Sequence, residues 1–137
     1  MASTINASST ANGIVSTADA SGILNVQSNG VNTNAQAWVN WSNPTAPSIQ
    51  SSYNVSSVTY TSTGAWTVNF TNAFADAKYC AVGSATTNVS ANGCVVIGYA
   101  GGTLLNTKTA SACSLFTQSV SGGGFYNAYE INMVFFR

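Results

Sequence analysis

The feature that most limits what this chain can become is a strict alternation of large apolar and small polar side chains from Trp66 to Thr71. Along an extended strand Trp66, Val68 and Phe70 point one way, and Thr67, Asn69 and Thr71 the other. Upstream, Tyr53 and Val55 alternate, and Val58 and Tyr60 alternate one residue out of phase. A slip of that kind near Ser56-Ser57 predicts a β-bulge or a bend. Thr61-Ser62-Thr63-Gly64 between the two runs is hairpin-sized, with Gly to supply a positive φ. The expectation is an antiparallel hairpin with an aromatic inner face, followed by a third strand over 77–85. The surrounding stretch 35–85 holds all three Trp, three of the six Tyr and both Pro.

The rest of the chain follows the same period. Gln36–Trp41 reads as a strand with Ala37, Val39 and Trp41 on one face and Trp38 on the other. Pro44 and Pro47 end it, because neither can donate to a ladder. Asn88–Gly93 reads as a turn. Cys94–Ala100 is an apolar run without alternation, which implies cover on both faces. Gly101 opens a loop reaching Ser111, and Cys113–Val120 is a further strand closed by Ser121–Gly124. In the last stretch Phe125, Tyr129, Ile131, Met133 and Phe135 share a face, opposite Glu130, Asn132 and Phe136. A strand over all of it would span about 40 Å, so a bend or a strand shared with a neighbouring chain is expected. No segment carries an i, i+3, i+4 pattern. The predicted fold is all-β: an antiparallel β-sandwich or jelly-roll-like domain over 35–137, preceded by a short β-rich N-terminal segment over 1–34.

That N-terminal segment is rich in Ser, Thr, Asn, Ala and Gly. Ile5, Ile14, Ile23 and Val31 recur at strand-and-turn spacing, and Ile14-Val15-Ser16-Thr17 and Ile23-Leu24-Asn25-Val26-Gln27 read as two short strands. Such a unit is marginal alone in water. Ile5, Ile14, Val15, Ile23, Leu24 and Val26 are therefore the candidate assembly residues, packing on the main domain, on symmetry mates or on another protein.

Charge excludes several functions. Only 4% of the 137 residues are charged, and Asp19, Asp76, Lys78, Lys108, Glu130 and Arg137 sum to zero. Three cations cannot build a nucleic-acid footprint or attract an anionic membrane, and no apolar run is long enough for a spanning helix. Met1-Ala-Ser-Thr has neither the basic nor the apolar region of a secretory signal, so synthesis in a cytoplasm is expected. There is no His, which removes the commonest general base and metal ligand. Three side-chain carboxylates could supply at most one glycosidase pair, with Asp76 in a turn and Glu130 in a strand. No nucleophile, base and orienter can be assembled, so neither an enzyme nor a cofactor or metal site is expected. Cys80, Cys94 and Cys113 lack metal or framework spacing and read as buried thiols, with one bond across paired strands left open. Trp66 reads as core. Trp41, beside Asn40 and Asn43 in a Pro-flanked loop, is the candidate contact site for a sugar, whose flat face suits an aromatic ring while amides take its hydroxyls.

The central stretch also carries a resemblance. The strings QAWVNW and YNVSSVTYTSTGAWTVNFTNAFADAKYCAVGSA, with STADASGILNVQSNGVN before and YEINMVFFR at the end, are similar to a module of fibre and tail proteins of tailed bacteriophages. Those modules carry a K-A-W-V-N-F-like start, an S-Y-N-V-S-S run, a G-x-(W/Y)-T-V-N-F run and A-x-A-x-Y-x-V. This chain departs from them at Gln36, where a basic residue is usual, and at Trp41, where Phe is usual. The resemblance implies a virion structural protein, a trimeric tail fibre or capsid decoration subunit. Its expected partners are copies of itself, other capsid or tail proteins and, in the alternative reading as an adhesin or receptor-binding tip, host surface polysaccharide.

Overall fold

The structure, a computed structural model, describes residues 27–28, 31–32, 34–86, 93–96, 108–119 and 124–137. Ten strands lie within them and no helix. Strands β1 (Gln27–Ser28) and β2 (Val31–Asn32) form a minimal antiparallel pair. The other eight are β3 (Ala35–Ser42), β4 (Ser48–Tyr53), β5 (Val55–Ser62), β6 (Ala65–Phe70), β7 (Cys80–Thr86), β8 (Gly93–Val96), β9 (Ala112–Ser119) and β10 (Glu130–Phe136). They make two antiparallel four-stranded sheets, ordered β4-β3-β10-β7 and β5-β6-β9-β8. The all-β sandwich expected from the alternation is what the chain adopts. The candidate assembly residues Ile5, Ile14, Val15, Ile23, Leu24 and Val26 lie outside the described residues, as do the Asn88–Gly93 turn up to Asn92 and the side chains of the Cys94–Ala100 run.

The alternation fixes which side chains enter the core. Ala37, Val39 and Trp41 from β3 meet Ile131, Met133 and Phe135 from β10 on the inner face of the first sheet, all at most 1% exposed. Trp66, Val68 and Phe70 from β6 and Cys113 and Leu115 from β9 cover them from the second sheet. Two aromatic groups fill opposite ends of the sandwich. At one end Trp41 and Trp66 meet edge to face, centroids 6.4 Å apart, with Tyr60 against Trp66 at 6.2 Å. The Trp66 indole N–H donates to the Pro44 carbonyl at 2.8 Å, so the Pro-flanked loop closes this end. At the other end Phe70 lies 4.7 Å from Phe74, 5.7 Å from Tyr79 and 5.0 Å from Phe135. Lys108 closes it, donating to the Tyr79 carbonyl at 2.8 Å with its ammonium 5.2 Å from the Tyr79 ring centre. Each such ring removes ~150–250 Å² from water, a gross stabilisation of about 4–6 kcal/mol at ~25 cal/mol per Å².

The chain crosses between sheets at Asn54. Tyr53 ends β4 in the first sheet and Val55 begins β5 in the second. Asn54 itself has φ 54°, a left-handed conformation that Asn tolerates better than most residues. Its side chain accepts from the Asn72 N–H at 2.8 Å and donates to the carbonyls of Gln36 and Asn72, both at 3.1 Å. It therefore ties the start of β3 to the end of β6. The phase slip in the sequence is thus two features, this corner and a register shift between Val55 and Ser57. The hairpin follows as expected, with Gly64 at φ 69°. A Cβ there would stand 2.8 Å from the Thr117 carbonyl oxygen, so the turn is closed to other residues on both counts.

Three expectations are corrected. The segment 77–85 yields β7 from Cys80 only, and it pairs with β10 in the first sheet, away from the aromatic hairpin. Its Gly83 sits against Met133, whose sulfur a Cβ would strike. The last stretch bends, one of the two expected outcomes, and β10 begins at Glu130; but Phe125 and Tyr129, expected on the face of Ile131, Met133 and Phe135, are exposed outside the strand. Phe125 instead bridges back to Gln118 and lies 5.8 Å from Phe116. Cys80 is an exposed free thiol, whereas Cys113 is free and buried as expected.

Two outcomes follow. Asn54→Ala loses the side-chain bonds and strains a positive φ, so it should cost about 2–3 kcal/mol in a urea titration, and Asn54→Gly less. An Ala variant as stable as the parent would refute the corner's role. In pH, burial raises the Cys113 thiol from 9.0 to about 11 and also raises the Tyr79 hydroxyl. The unfolded chain releases these protons first, so stability should fall as pH rises from 9.0 to about 11. With no His, the thermal midpoint should stay flat between about pH 5 and 8. Cys113→Ala should blunt the alkaline loss.

Candidate functional site

Residues opposite one another across antiparallel strands share a face. On the outer face of the first sheet this pairing builds rows. Tyr53 on β4 opposes Trp38 on β3, Trp38 opposes Val134 on β10, and Val134 opposes Val82 on β7. One row is therefore apolar from edge to edge, and the next is begun by Phe136 opposite Cys80. Trp38 is 37% exposed, Tyr53 46%, Val82 61% and Phe136 38%. In the other direction the rows turn polar: Ser51, Asn40, Asn132 and Ser84, then Ser48, Ser42, Glu130 and Thr86.

The polar rows are knitted together through Asn40. Its amide nitrogen donates to Glu130 Oε1 at 2.7 Å and to Asn132 Oδ1 at 2.6 Å. A half-buried carboxylate is thereby held by an uncharged partner.

The outer face of the second sheet differs. Its rows are Thr59, Thr67 and Ser114, then Ser57, Asn69 and Ala112. Asn69 donates to Ser57 Oγ at 3.0 Å and Thr59 Oγ1 at 3.3 Å, and the Thr67 and Ser114 hydroxyls lie 3.1 Å apart. These hydroxyls and amides bond one another. The large ring in line with them, Phe116, is buried. Phe116 opposes Ala65 and Val96, and Phe125 lies against it. Among the described residues these strands of the second sheet show no exposed row of large apolar side chains like that of the first.

The sequence-based contact site is corrected by this arrangement. Trp41 is 1% exposed and lies in the core against Trp66, so it cannot stack on a ligand. Asn40, its neighbour, points to the opposite face. Asn43 is exposed at φ 60° in the turn after β3, where its role is to supply that backbone conformation. The three residues do not converge. Trp38 is the exposed indole of β3, and the signal was present: Trp41 alternates in phase with the apolar Ala37 and Val39, Trp38 with polar Asn40. Tyr53, Val82, Val134, Phe136 and Asn132 were not foreseen, since strand pairing, not local spacing, brings them together.

The ionisable groups are scattered. Glu130 and Arg137 flank β10, roughly 20 Å apart at ~3.3 Å per residue. Arg137 forms an ion pair with Asp76, so the Asp76 and Glu130 carboxylates are too far apart for the ~5–9.5 Å of a glycosidase pair. The Lys78 N–H and then the Arg137 and Lys78 charges hold the Asp76 carboxyl below its usual range. Among the described residues no three His, Cys, Asp or Glu are grouped to hold a metal, and no helix is long and apolar enough to cross a membrane. No family model, curated protein or solved structure matches the chain.

Asn40 offers a direct check. Asn40→Asp sets a second carboxylate against Glu130 and removes both donated bonds. It should lower stability by about 1–3 kcal/mol at neutral pH, with part recovered below about pH 4 as the pair takes up a proton. Equal loss at both pH values would show that charge is not the cause.

Proposed function

We propose that this chain is a non-enzymatic structural subunit on the surface of a tailed-bacteriophage virion, a tail-fibre or capsid-decoration module that assembles as a homotrimer. The observation that carries the assembly part is the exposed Tyr53–Trp38–Val134–Val82 row on a surface with almost no charge. Contiguous apolar patches mark interaction sites more often than scattered exposed side chains do. A surface wetted by hydroxyls and amides has little ionic repulsion to keep copies apart. The virion part rests on the sequence resemblance. The central strings that carry it fall on β3, on the end of β4 and the Asn54 corner through β5, β6 and β7, and on β10; of these β3, β6 and β10 supply much of the core. The wide separation of Asp76 and Glu130 supports a role without catalysis.

A second reading has one observation in its favour. Trp38 lies one row from Asn40 and Asn132 and two from Glu130, so a sugar ring could stack on the indole while its hydroxyls meet the amides. On that reading the module is a receptor-binding tip for host surface polysaccharide.

Light scattering on the purified chain should give about 42 kDa, three times the 14.0 kDa chain. Density for this chain in an image of an intact particle would establish its place on capsid or tail. A stable monomer at micromolar concentration would overturn the trimer. Glycan binding that disappears in Trp38→Ala would favour the second reading.

A further inference from the structure

We infer that the outer face of the β4-β3-β10-β7 sheet is where copies of this chain meet, with the Tyr53 edge of one copy against the Val82 edge of the next around a closed ring. This rests on the trimer reading and adds the surface and the contacts.

The anatomy of the face fits an interface. Protein interfaces have an apolar centre rich in Trp, Tyr and Phe and a polar rim. Here Trp38 and Val134 are central, Tyr53 and Val82 lie on the two edge strands, and the Asn40 and Glu130 rows form a rim. The exposed parts of Tyr53, Trp38, Val82 and Phe136 amount to roughly 300 Å² of side chain. A ring divides this apolar surface between two neighbours, so the polar rows and the sheet edges supply most of the about 800 Å² that each contact takes from a subunit.

Charge selects the occupant. Glu130 is the one ionised side chain in these rows, it stands in the row farthest from the apolar centre, and Asn40 already bonds it. A nucleic acid or a strongly charged protein would find nothing to pair with. A second copy brings the same uncharged rows and meets no like-charge penalty. In a ring each subunit uses two different patches, one for each neighbour. An apolar row running from one sheet edge to the other supplies both: Tyr53 on β4 for one neighbour and Val82 on β7 for the other. Cys80, near Val82 on the same edge and exposed in the single chain, would lie beside the contact.

The test places a charge at each half of the contact. Val82→Lys and Tyr53→Lys lie on edge strands at exposed positions, so each should keep the near-ultraviolet circular dichroism of the Trp41–Trp66 pair. Each should weaken association by at least about thirtyfold, the loss of one central contact. Thr59→Lys, on the outer face of the other sheet, should leave assembly unchanged. As a readout independent of substitution at Tyr53, alkylation of Cys80 in a Cys94→Ser background should be slow in the assembled parent and fast after Val82→Lys. A parent that is trimeric while both lysine variants stay trimeric, with Cys80 equally reactive, would overturn this face and leave the trimer standing. Dissociation by Thr59→Lys as strong as by the other two would also overturn it. A monomeric parent would remove the inference and the trimer together, and glycan binding through Trp38 in that monomer would assign the face to a sugar.

Discussion

The domain depends on one backbone event, the passage of the chain from the first sheet to the second at Asn54. A sandwich needs its inner faces to meet, and a strand that changes sheets must also change which of its side chains point inward. Asn54 achieves this with a single residue at φ 54°. Before it Tyr53 points outward beside Trp38, and after it Val55 is buried opposite Phe70. The three side-chain hydrogen bonds of Asn54 anchor the corner to both β3 and the end of β6. A residue without that amide would have to hold a left-handed backbone with nothing in return.

Much of the fold was legible because the core strands keep strict period 2. In β3, β6 and β10 every inward position carries an apolar side chain, so face assignment follows from spacing alone. The reading failed where a physical event interrupts the period. Tyr53 and Val55 alternate as if on one strand, and only their separation into two sheets reveals that one is surface and the other core. Phe125 and Tyr129 match the phase of Ile131, but the chain bends at Tyr129, after the buried Ala128, and β10 starts after the bend. Gly83 on β7 carries no hydrophobic signal at all, since Met133 fills its space from the paired neighbouring strand β10.

The candidate site was less legible than the core for a related reason. A row across a sheet takes one residue from each strand, and its members lie far apart in sequence: Trp38, Tyr53, Val82 and Val134. Local spacing carries no trace of which strands pair. The choice between Trp38 and Trp41 was nevertheless decidable, because Ala37 and Val39 accompany Trp41. Proximity to Asn43 and the prolines outweighed that evidence, although the turn's work is structural: it caps the core through the Pro44 carbonyl.

A chain with 4% charged residues has given up the usual means of staying apart from its copies. Its two outer faces answer this differently. Among the described residues, the outer rows of β5, β6 and β9 in the second sheet show hydroxyls and amides that bond one another. The first divides itself, with polar rows bound through Asn40 at one end and a row of rings and valines at the other. Had the rings been needed only for folding, the inner face was available, and Trp41, Trp66 and Phe135 already fill it at no more than 1% exposure. Trp38 adds nothing to that core, and a Thr at its position would suit a half-exposed strand equally well. Exposed aromatic surface is costly in water; Trp38, Tyr53 and Phe136 gather at one end of the first sheet's outer face, while Phe125 and Tyr129 are exposed outside it, so the proposed assembly would remove the former from water and leave the latter.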